Sequence, residues 1–179
     1  ADSFNAYHTP PPLRAAAQVL QATGHRVELP GPRTCCGRTL LSKGQIPAAQ
    51  RRALRTVEVL YPYAEADVPI VGLEPSCILT LRDEFLDLLP GEPRAEAVAE
   101  AAYTFEEYVA ERAEEGAFDD VEWKNGRSDV RSVDDDTTIA ATGFSCRSQI
   151  KDVTDRTAQH PAELLWRAVD ADASSKQSV

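Results

Sequence analysis

The residues of this chain whose types and spacing could do chemistry are its four cysteines. Two are adjacent, in Thr34-Cys35-Cys36-Gly37-Arg38, and two follow serine, in Glu74-Pro75-Ser76-Cys77 and Gly143-Phe144-Ser145-Cys146. A vicinal pair is unusual, because neighbouring thiols compete for the same space and bridge each other poorly. Without a sign of secretion, clustered cysteines are more typical of a metal-binding or catalytic site than of disulfides. We therefore expect all four cysteines to lie on loops and to share one site.

The chemistry of the thiols limits which metal centre they could bind. Soft thiolates without surrounding histidines favour an iron–sulfur cluster or zinc. Zinc sites usually draw ligands from knuckles of closely spaced cysteines separated by a few residues, and this chain has none. Vicinal cysteines suit one tetrahedral ion poorly but can bind different atoms of a cluster. The residues favour a cluster over zinc, and four buried, reduced thiols without metal are the remaining alternative.

Two of the cysteines end a repeated pattern. The segments Ile70–Cys77 (IVGLEPSC) and Ile139–Cys146 (IAATGFSC) each combine a β-type run, a turn and a Ser-Cys ending, 69 residues apart. Their apolar runs predict buried strands of a parallel sheet over 69–73 and 137–141. Ligands bind at the carboxyl ends of the strands in open α/β sheets. The repeat predicts two related half-modules that present their cysteines at one sheet edge.

Helical periodicity predicts the elements between these turns. Residues 1–11 are expected to be irregular and 26–29 to form a short strand. Residues 118–136 are polar and without period, which is typical of a linker or of a small hairpin at Asn125-Gly126. His160 is expected to cap the last helix rather than to bind metal. The predicted helices cover 13–23, a long stretch from about 47, 78–89, 94–115 and 161–169.

Composition limits the class of protein. The chain has 179 residues, 42% of them hydrophobic, which predicts one soluble α/β domain. No apolar run approaches the roughly 18 residues of a membrane-spanning helix. A net charge of −10 argues against nucleic acid as a partner. Only four of the 19 basic residues are lysine, which favours a protein of a saline environment over an ordinary acidic cytosolic one.

The ends of the chain and its other motifs add two expectations. The first residues show neither the basic head nor the apolar core of a signal peptide, and the absence of methionine suggests a piece of a longer precursor. No glycine-rich phosphate loop, Ser-His-Asp order or His-Glu-x-x-His motif is present, which argues against a self-contained hydrolase or nucleotide enzyme. Arg38 and Lys43 could offset the charge of a cluster. Glu74 could form a hydrogen bond near the cluster, although a carboxylate on a turn is usually solvated.

Together the cysteine segments resemble a known family. TCCGRTLLSKG, VPIVGLEPSCILTLRDE and GFSCRSQI with HPAELL are similar to the cysteine-rich "CCG" domain. That domain forms the iron–sulfur part of flavin-linked dehydrogenases acting on D-lactate, glycolate or glycerol 3-phosphate, and the B subunit of heterodisulfide reductase belongs to the same family. The similarity runs from about Asp2 to Ala168 and is most distinctive from Cys35 to Glu84. The second module here lacks the upstream cysteine and the second CCG that the family normally has.

The resemblance implies a fold and a ligand set. The fold would be α/β, with two related half-modules whose short parallel sheets are flanked by helices. Residues 1–179 would be a single CCG-like domain with a first module at about 1–116, a polar linker at about 117–136 and the remnant of a second module at about 137–170. A [4Fe–4S] cluster would then be bound by the four cysteines, Cys35, Cys36, Cys77 and Cys146.

The resemblance also implies a function. The chain would be an electron-transfer component of an oxidoreductase, passing electrons from reduced flavin to a quinone or disulfide acceptor. FAD would lie in a partner dehydrogenase domain or subunit, and the location would be cytoplasmic or peripheral to the inner face of the membrane, beside a membrane-associated acceptor. Two alternatives stay open. One is a degenerate module that has lost its cluster and serves as a structural or docking domain, and the other is a structural zinc site.

Overall fold

The computed structural model describes residues 3–8, 10–30, 35–119, 140–153 and 157–169, without the side chains of residues 3, 4, 144–146, 149 and 153. Helices predominate along these residues, with two short strands among them. In chain order they are α1 (Ser3–Tyr7), α2 (Pro10–Ala22), α3 (Arg38–Leu41), α4 (Ile46–Glu65), β1 (Ile70–Gly72), α5 (Pro75–Arg82), α6 (Glu84–Leu88), α7 (Pro93–Glu100), β2 (Ala102–Thr104), α8 (Phe105–Glu114), α9 (Phe144–Val153) and α10 (Pro161–Ala168).

A two-stranded parallel sheet separates two apolar clusters. β1 pairs with β2 in the register Ile70 to Ala102 and Val71 to Tyr103. Because successive side chains of a strand point to opposite faces, Ile70 and Ala102 pack on one side and Val71 and Tyr103 on the other. Helices α4 to α7 cover the first face, and helices α2, α8 and α10 cover the second. The predicted α/β class, with a short parallel sheet flanked by helices, is confirmed.

The amino-terminal helices differ from the prediction at their start. α2 begins at Pro10 rather than at Leu13, since proline is tolerated in the first turn of a helix, where its missing N–H has no partner to lose. Residues 3–7 form α1, so irregular structure over 1–11 was wrong. Asn5 on α1 is only 1% exposed, and α1 packs against α2. Tertiary contact therefore stabilises a helix that is too short to form alone.

The predicted strand over 26–29 is wrong. The structure has no strand at these residues, and β1 and β2 are each other's only named partners in the described part of the chain. A strand needs a neighbour for its backbone hydrogen bonds, which sequence pattern alone does not supply. The segment instead lines a cavity, together with residues of α2.

The predicted helix over 78–89 is interrupted and starts earlier than expected. α5 begins at Pro75, and Asp83 separates it from α6 as the C-cap of one helix and the N-cap of the next. Leu81 on α5 and Phe85 on α6 are both buried in the same apolar cluster. Because α5 begins at Pro75, Cys77 lies inside a helix and not on a turn, which corrects the expected loop position of this cysteine.

The continuous helix predicted over 94–115 is wrong as well. β2 interrupts it, because the backbone of residues 102–104 pairs with β1 instead of closing helical hydrogen bonds. α8 then restarts with a capping box, in which the Glu107 N–H donates to Thr104 Oγ1 at 3.2 Å and the Thr104 N–H donates to Glu107 Oε2 at 2.9 Å. The predicted apolar stripe is nevertheless largely buried, at Val98, Ala102 and Phe105.

The carboxyl-terminal half is described only in part. Most of the predicted linker or hairpin over 118–136, and most of the predicted strand over 137–141, lie outside the described residues. Ala140 forms an isolated parallel bridge with Gln159. No helix among the described residues is long and apolar enough to cross a membrane.

Candidate metal centre

The vicinal cysteines lie in a short non-helical segment held against α4. Gly37, at the N-cap of α3, has a φ of 78°, a left-handed conformation that glycine adopts without strain. A Cβ at this position would lie 3.1 Å from Cγ of Arg52, so the segment also packs closely on α4. The hydroxyl of Thr56 on α4 donates to the carbonyl oxygen of Cys35 at 3.0 Å. These contacts fix the backbone of the pair.

Cys77 is positioned by the close approach of α5 to β1. It is the third residue of α5, and its N–H donates to the carbonyl oxygen of Glu74 at 2.9 Å. A Cβ on Gly72 would lie 2.5 Å from Cβ of Ile78, a distance that real side chains do not reach. Glycine at the end of β1 is thus what allows the first turn of α5, with its thiol, to sit against the sheet.

The Cys36 thiol contacts both of the other described thiols. Cys35, Cys36 and Cys77 are all reduced, and the Cys36 thiol is hydrogen-bonded to both Cys35 and Cys77. The bond from Cys35 lowers the pKa of Cys36, as does the backbone N–H of Arg38. The bond to Cys77, burial and the charge of Cys77 outweigh them and raise this pKa to about 11. Cys36 therefore lies beside both other described thiols. A single site shared by the cysteines stays a prediction.

Cys146 occupies the position in α9 that Cys77 occupies in α5. Both are the third residue of a helix, and Phe144 and Pro75, the first residues of the two helices, align in the sequence repeat. The backbone thus places Cys146 in a helical turn rather than on a loop. Its side chain lies outside the described residues, so its place in the site stays a prediction.

Charged residues beside the thiols behave differently from expectation. Glu74 is only 5% exposed, whereas a solvated carboxylate was expected, and its Oε1 accepts a hydrogen bond from Ser76 Oγ at 2.9 Å. Arg38 directs its guanidinium to Glu84 at 2.8 Å, and this ion pair joins α3 to α6. Lys43 is exposed. Arg38 and Lys43 were candidates for offsetting the charge of a cluster. The Arg38 guanidinium instead pairs with Glu84, and the backbone N–H of Arg38 forms a hydrogen bond with Cys36.

A cavity of about 710 Å³ opens beside the thiols and was not predicted from the sequence. Cys35, Cys36 and Cys77 lie in its wall together with Glu74. Residues of α2 and residues 25–30 also line it, and most of the lining is apolar. Such a cavity depends on how distant segments pack, so no local pattern signals it.

His160 caps α10, as expected, and also reaches the site. Its Nδ1 accepts from the N–H of Ala162, and the His160 backbone N–H donates to Glu163 Oε2, which completes a capping box. Its Nε2 lies 3.1 Å from the carbonyl oxygen of Leu73, three residues before Ser76. Burial lowers the pKa of this imidazole, so the ring is held neutral.

Comparison with known proteins identifies the first part of the chain. A family model described as CCG, cysteine-rich domain, matches residues 3–82, which contain Cys35, Cys36 and Cys77. Residues 3–82 belong to the CCG family of cysteine-rich domains. The recognition that rested on the cysteine segments is confirmed for this part of the chain.

Two curated proteins are similar to the chain, which contains this CCG domain. A D-2-hydroxyglutarate dehydrogenase of Pseudomonas putida is 26% identical over 216 residues, covering 92% of this chain and 21% of that protein. A lactate utilization protein A of an Exiguobacterium species is 34% identical over 96 residues, covering 52% of this chain and 38% of that protein. No solved structure matches the chain significantly.

The lengths in these comparisons are informative. The chain spans about a fifth of the dehydrogenase and 38% of the lactate utilization protein. An alignment of 216 residues cannot be filled by a chain of 179, so the dehydrogenase has residues in this region for which the chain has no counterpart.

The donor set of the CCG domain fits an iron–sulfur cluster in its chemistry. Cys36 contacts two further thiols in a partly buried place, and a thiol with a pKa near 11 becomes a thiolate at neutral pH only when a cation binds it. Contact between thiols is less than a complete ligand set, however. Among the described residues, no group of three or more His, Cys, Asp or Glu side chains is arranged so that it could hold a metal ion. The fourth predicted ligand, Cys146, lies outside that set.

Proposed function

We propose that this chain is an electron-transfer domain of a flavin-linked dehydrogenase. It would pass electrons from reduced flavin to a quinone or disulfide acceptor by means of a [4Fe–4S] cluster bound by Cys35, Cys36, Cys77 and Cys146. The observation that carries the proposal is the contact of Cys36 with both Cys35 and Cys77, across two segments of a CCG domain.

The residues of the site have separate tasks in this proposal. A bound [4Fe–4S] cluster would accept and release single electrons at a potential set by its surroundings. Cys36 is the most buried of the three described thiols, at 8% exposure, and would anchor the innermost ligand position. The backbone N–H of Arg38 donates to its sulfur and stabilises the thiolate form. Thr56 and Gly72 hold the backbones that carry Cys35 and Cys77 in place.

The partner in this proposal is a flavin-containing domain or subunit. Support comes from the Pseudomonas relative, which is named a dehydrogenase and of which the chain matches only 21%. FAD and the substrate site would then belong to sequence outside this chain, and the chain would be one component of an oxidoreductase. The net charge of −10 disfavours nucleic acid as a further partner.

The acceptor would approach through the cavity beside the thiols. Its wall is mainly apolar, which suits a quinone ring, and its volume of about 710 Å³ would admit an acceptor beside the cysteines. A disulfide acceptor is the alternative, and reduction of each by the reconstituted protein separates the two. A cytoplasmic location, peripheral to the inner face of the membrane where a quinone is the acceptor, completes the proposal.

Anaerobic reconstitution tests this function. Purified chain incubated with iron and sulfide should turn brown and hold about four irons per chain. Cys36→Ser and Cys77→Ser should each lower the iron content by at least half, because each removes a thiolate that the cluster needs. Ser42→Ala on the neighbouring exposed turn is the matched control and should leave it unchanged. Colourless, iron-free wild-type protein would overturn the proposal.

A second candidate is favoured by the absence of a metal-holding group of three side chains among the described residues. The chain would then be a degenerate CCG module that docks its partner without a cluster. A structural zinc site is a separate alternative. Replacing Cys35 and Cys36 together by serine should leave binding to the flavin partner unchanged in the first case. Metal analysis of the protein as purified distinguishes zinc from iron.

A further inference from the structure

His160 is a buried group that the proposed electron transfer does not use. Its side chain is fully buried, and both ring nitrogens have partners. Nδ1 lies 3.1 Å from the Ala162 nitrogen and accepts its N–H. The ring proton must therefore lie on Nε2, which donates to the carbonyl oxygen of Leu73, also at 3.1 Å. With both nitrogens engaged in protein hydrogen bonds, the ring is not a metal ligand in this arrangement.

The bond from His160 ends at the turn just before α5, the helix that carries Cys77. Leu73 follows β1, is 5% exposed, and precedes Glu74, the N-cap of α5. The Glu74 carbonyl in turn accepts the N–H of Cys77. A displacement of the Leu73 carbonyl would thus be passed to the first turn of α5 and to its thiol.

The backbone that carries the His160 ring lies in the carboxyl-terminal part of the chain. Gln159 pairs with Ala140 in a parallel bridge, and its carbonyl accepts the N–H of Ala141 at 3.0 Å. Arg147 on α9 donates to the carbonyl of Ala141 at 3.1 Å. α10, which His160 caps, packs on α2. The imidazole therefore joins the carboxyl-terminal elements to the turn before Cys77 across 87 residues of sequence.

We infer that His160 is a positioning residue for the thiol site: its Nε2–H holds the Leu73 carbonyl and thereby sets the place of the Cys77 thiol against Cys36. The role in electron transfer rests on the proposed function, whereas the effect on the thiols does not. Loss of this donor would leave the buried carbonyl oxygen of Leu73 without its His160 partner, which favours movement of the turn toward another donor.

Two variants separate this role from simple helix capping. In His160→Asn the new side chain can still cap α10 through its Oδ1, but it is too short to reach Leu73. Glu163→Ala removes the hydrogen bond between the His160 N–H and Glu163 and leaves the imidazole ring in place. Both variants are made in a Cys35→Ser background, so that Cys36 and Cys77 are the two thiols that remain among the described cysteine side chains.

The measurement is cross-linking of Cys36 to Cys77 in metal-free protein by a short bifunctional alkylating reagent, with the linked peptides quantified by mass spectrometry. His160→Asn should lower the yield about fivefold at a temperature well below its unfolding midpoint, since a lost hydrogen bond of about 1 kcal/mol shifts an equilibrium by that factor. Glu163→Ala should leave the yield near that of the background protein. In reconstituted protein that retains Cys35, His160→Asn should also alter the electron paramagnetic resonance spectrum of the reduced cluster.

The outcomes are distinct. Equal cross-linking in His160→Asn and the background protein overturns the inference, as does an equal loss in Glu163→Ala, which would mean that the ring only stabilises α10. If His160→Asn does not fold, His160→Gln decides, because its longer amide can still reach Leu73: a retained yield supports the inference and a fivefold loss overturns it. Wild-type protein without iron overturns the proposed function but leaves the cross-linking test intact.

Discussion

Gly72 at the end of β1 and Ile78 on α5 approach so closely that a Cβ on the glycine would lie 2.5 Å from the isoleucine Cβ. The contact brings the helix that carries Cys77 against the sheet that separates the two apolar clusters. Since Cys77 directly precedes Ile78, the place of the thiol depends on the absence of a side chain at residue 72.

Gly72→Ala is predicted to destabilise the protein and to move Cys77. The added methyl has no space, so α5 must shift, at a cost of about 3 kcal/mol in the free energy of unfolding. Urea unfolding measures this cost, and cross-linking of Cys36 to Cys77 should fall in the same variant. Gly24→Ala is the control: nothing lies within 4 Å of its Cβ position, and only its left-handed backbone opposes the change, at about 1 kcal/mol. Equal losses in the two variants would contradict the steric argument.

The pH dependence of Cys36 alkylation should respond in opposite directions to its two neighbours. In metal-free protein the thiol should be half-ionised near pH 11, since its pKa is raised to about 11. Cys35→Ala removes the bond that lowers this pKa, so the midpoint should rise. Cys77→Ala removes a bond and a charge that raise it, so the midpoint should fall toward the ordinary value of about 9.

The midpoint is obtained by mass spectrometry of iodoacetamide-treated protein across a pH series. It is independent of any change in access to the sulfur, which alters the rate at every pH alike. Midpoints that move in the same direction in both variants would show that burial alone determines the acidity of Cys36.

Glu92 should make the stability depend on pH in the acid range. The carboxylate accepts from the side chain and the backbone N–H of Arg94 at the start of α7, and Arg94 holds its pKa down at about 2. A carboxyl whose pKa is lower in the folded protein stabilises it above the unfolded value of about 4.5 and loses that effect as the pH falls toward 2.

Thermal unfolding of wild type and Glu92→Gln checks this. Wild type should have the higher Tm at pH 7, and the difference should shrink between pH 5 and about pH 2 as the carboxylate is protonated. The pair is partly exposed, so the difference should be small and should shrink further in high salt. A difference that is independent of pH would assign the effect to packing.

Thr104 should be needed for the restart of a helix after β2. Its hydroxyl accepts the N–H of Glu107, and the Thr104→Ala change should lower the free energy of unfolding by about 1 kcal/mol. Thr104→Ser keeps the acceptor and should cost much less, and urea unfolding distinguishes the two. A serine variant as unstable as the alanine variant would point to the lost methyl instead of the cap.

Much of the helical structure could be predicted from local pattern. α2, α4 and α10 lie where apolar periodicity and prolines at the helix starts placed them. The failures occurred where a distant segment decides the structure. Residues 102–104 fit a helical stripe, yet their backbone pairs with β1, about thirty residues earlier. Residues 26–29 resembled a strand but found no partner. One local signal for the break, Thr104-x-x-Glu107, was present and was outweighed by the regular stripe.

The sequence by itself determined the thiols available as ligands, the Ser-Cys repeat and the CCG match of residues 3–82, because these depend on which residues are present and how far apart they stand. Only the tertiary structure decided that Cys36 meets Cys77 as well as Cys35, that Glu74 is buried beside them and that His160 reaches Leu73. These contacts join residues tens of positions apart. They arise from the packing of α4 and α5 on one face of a two-stranded sheet and of α10 on the other, which no local sequence pattern encodes.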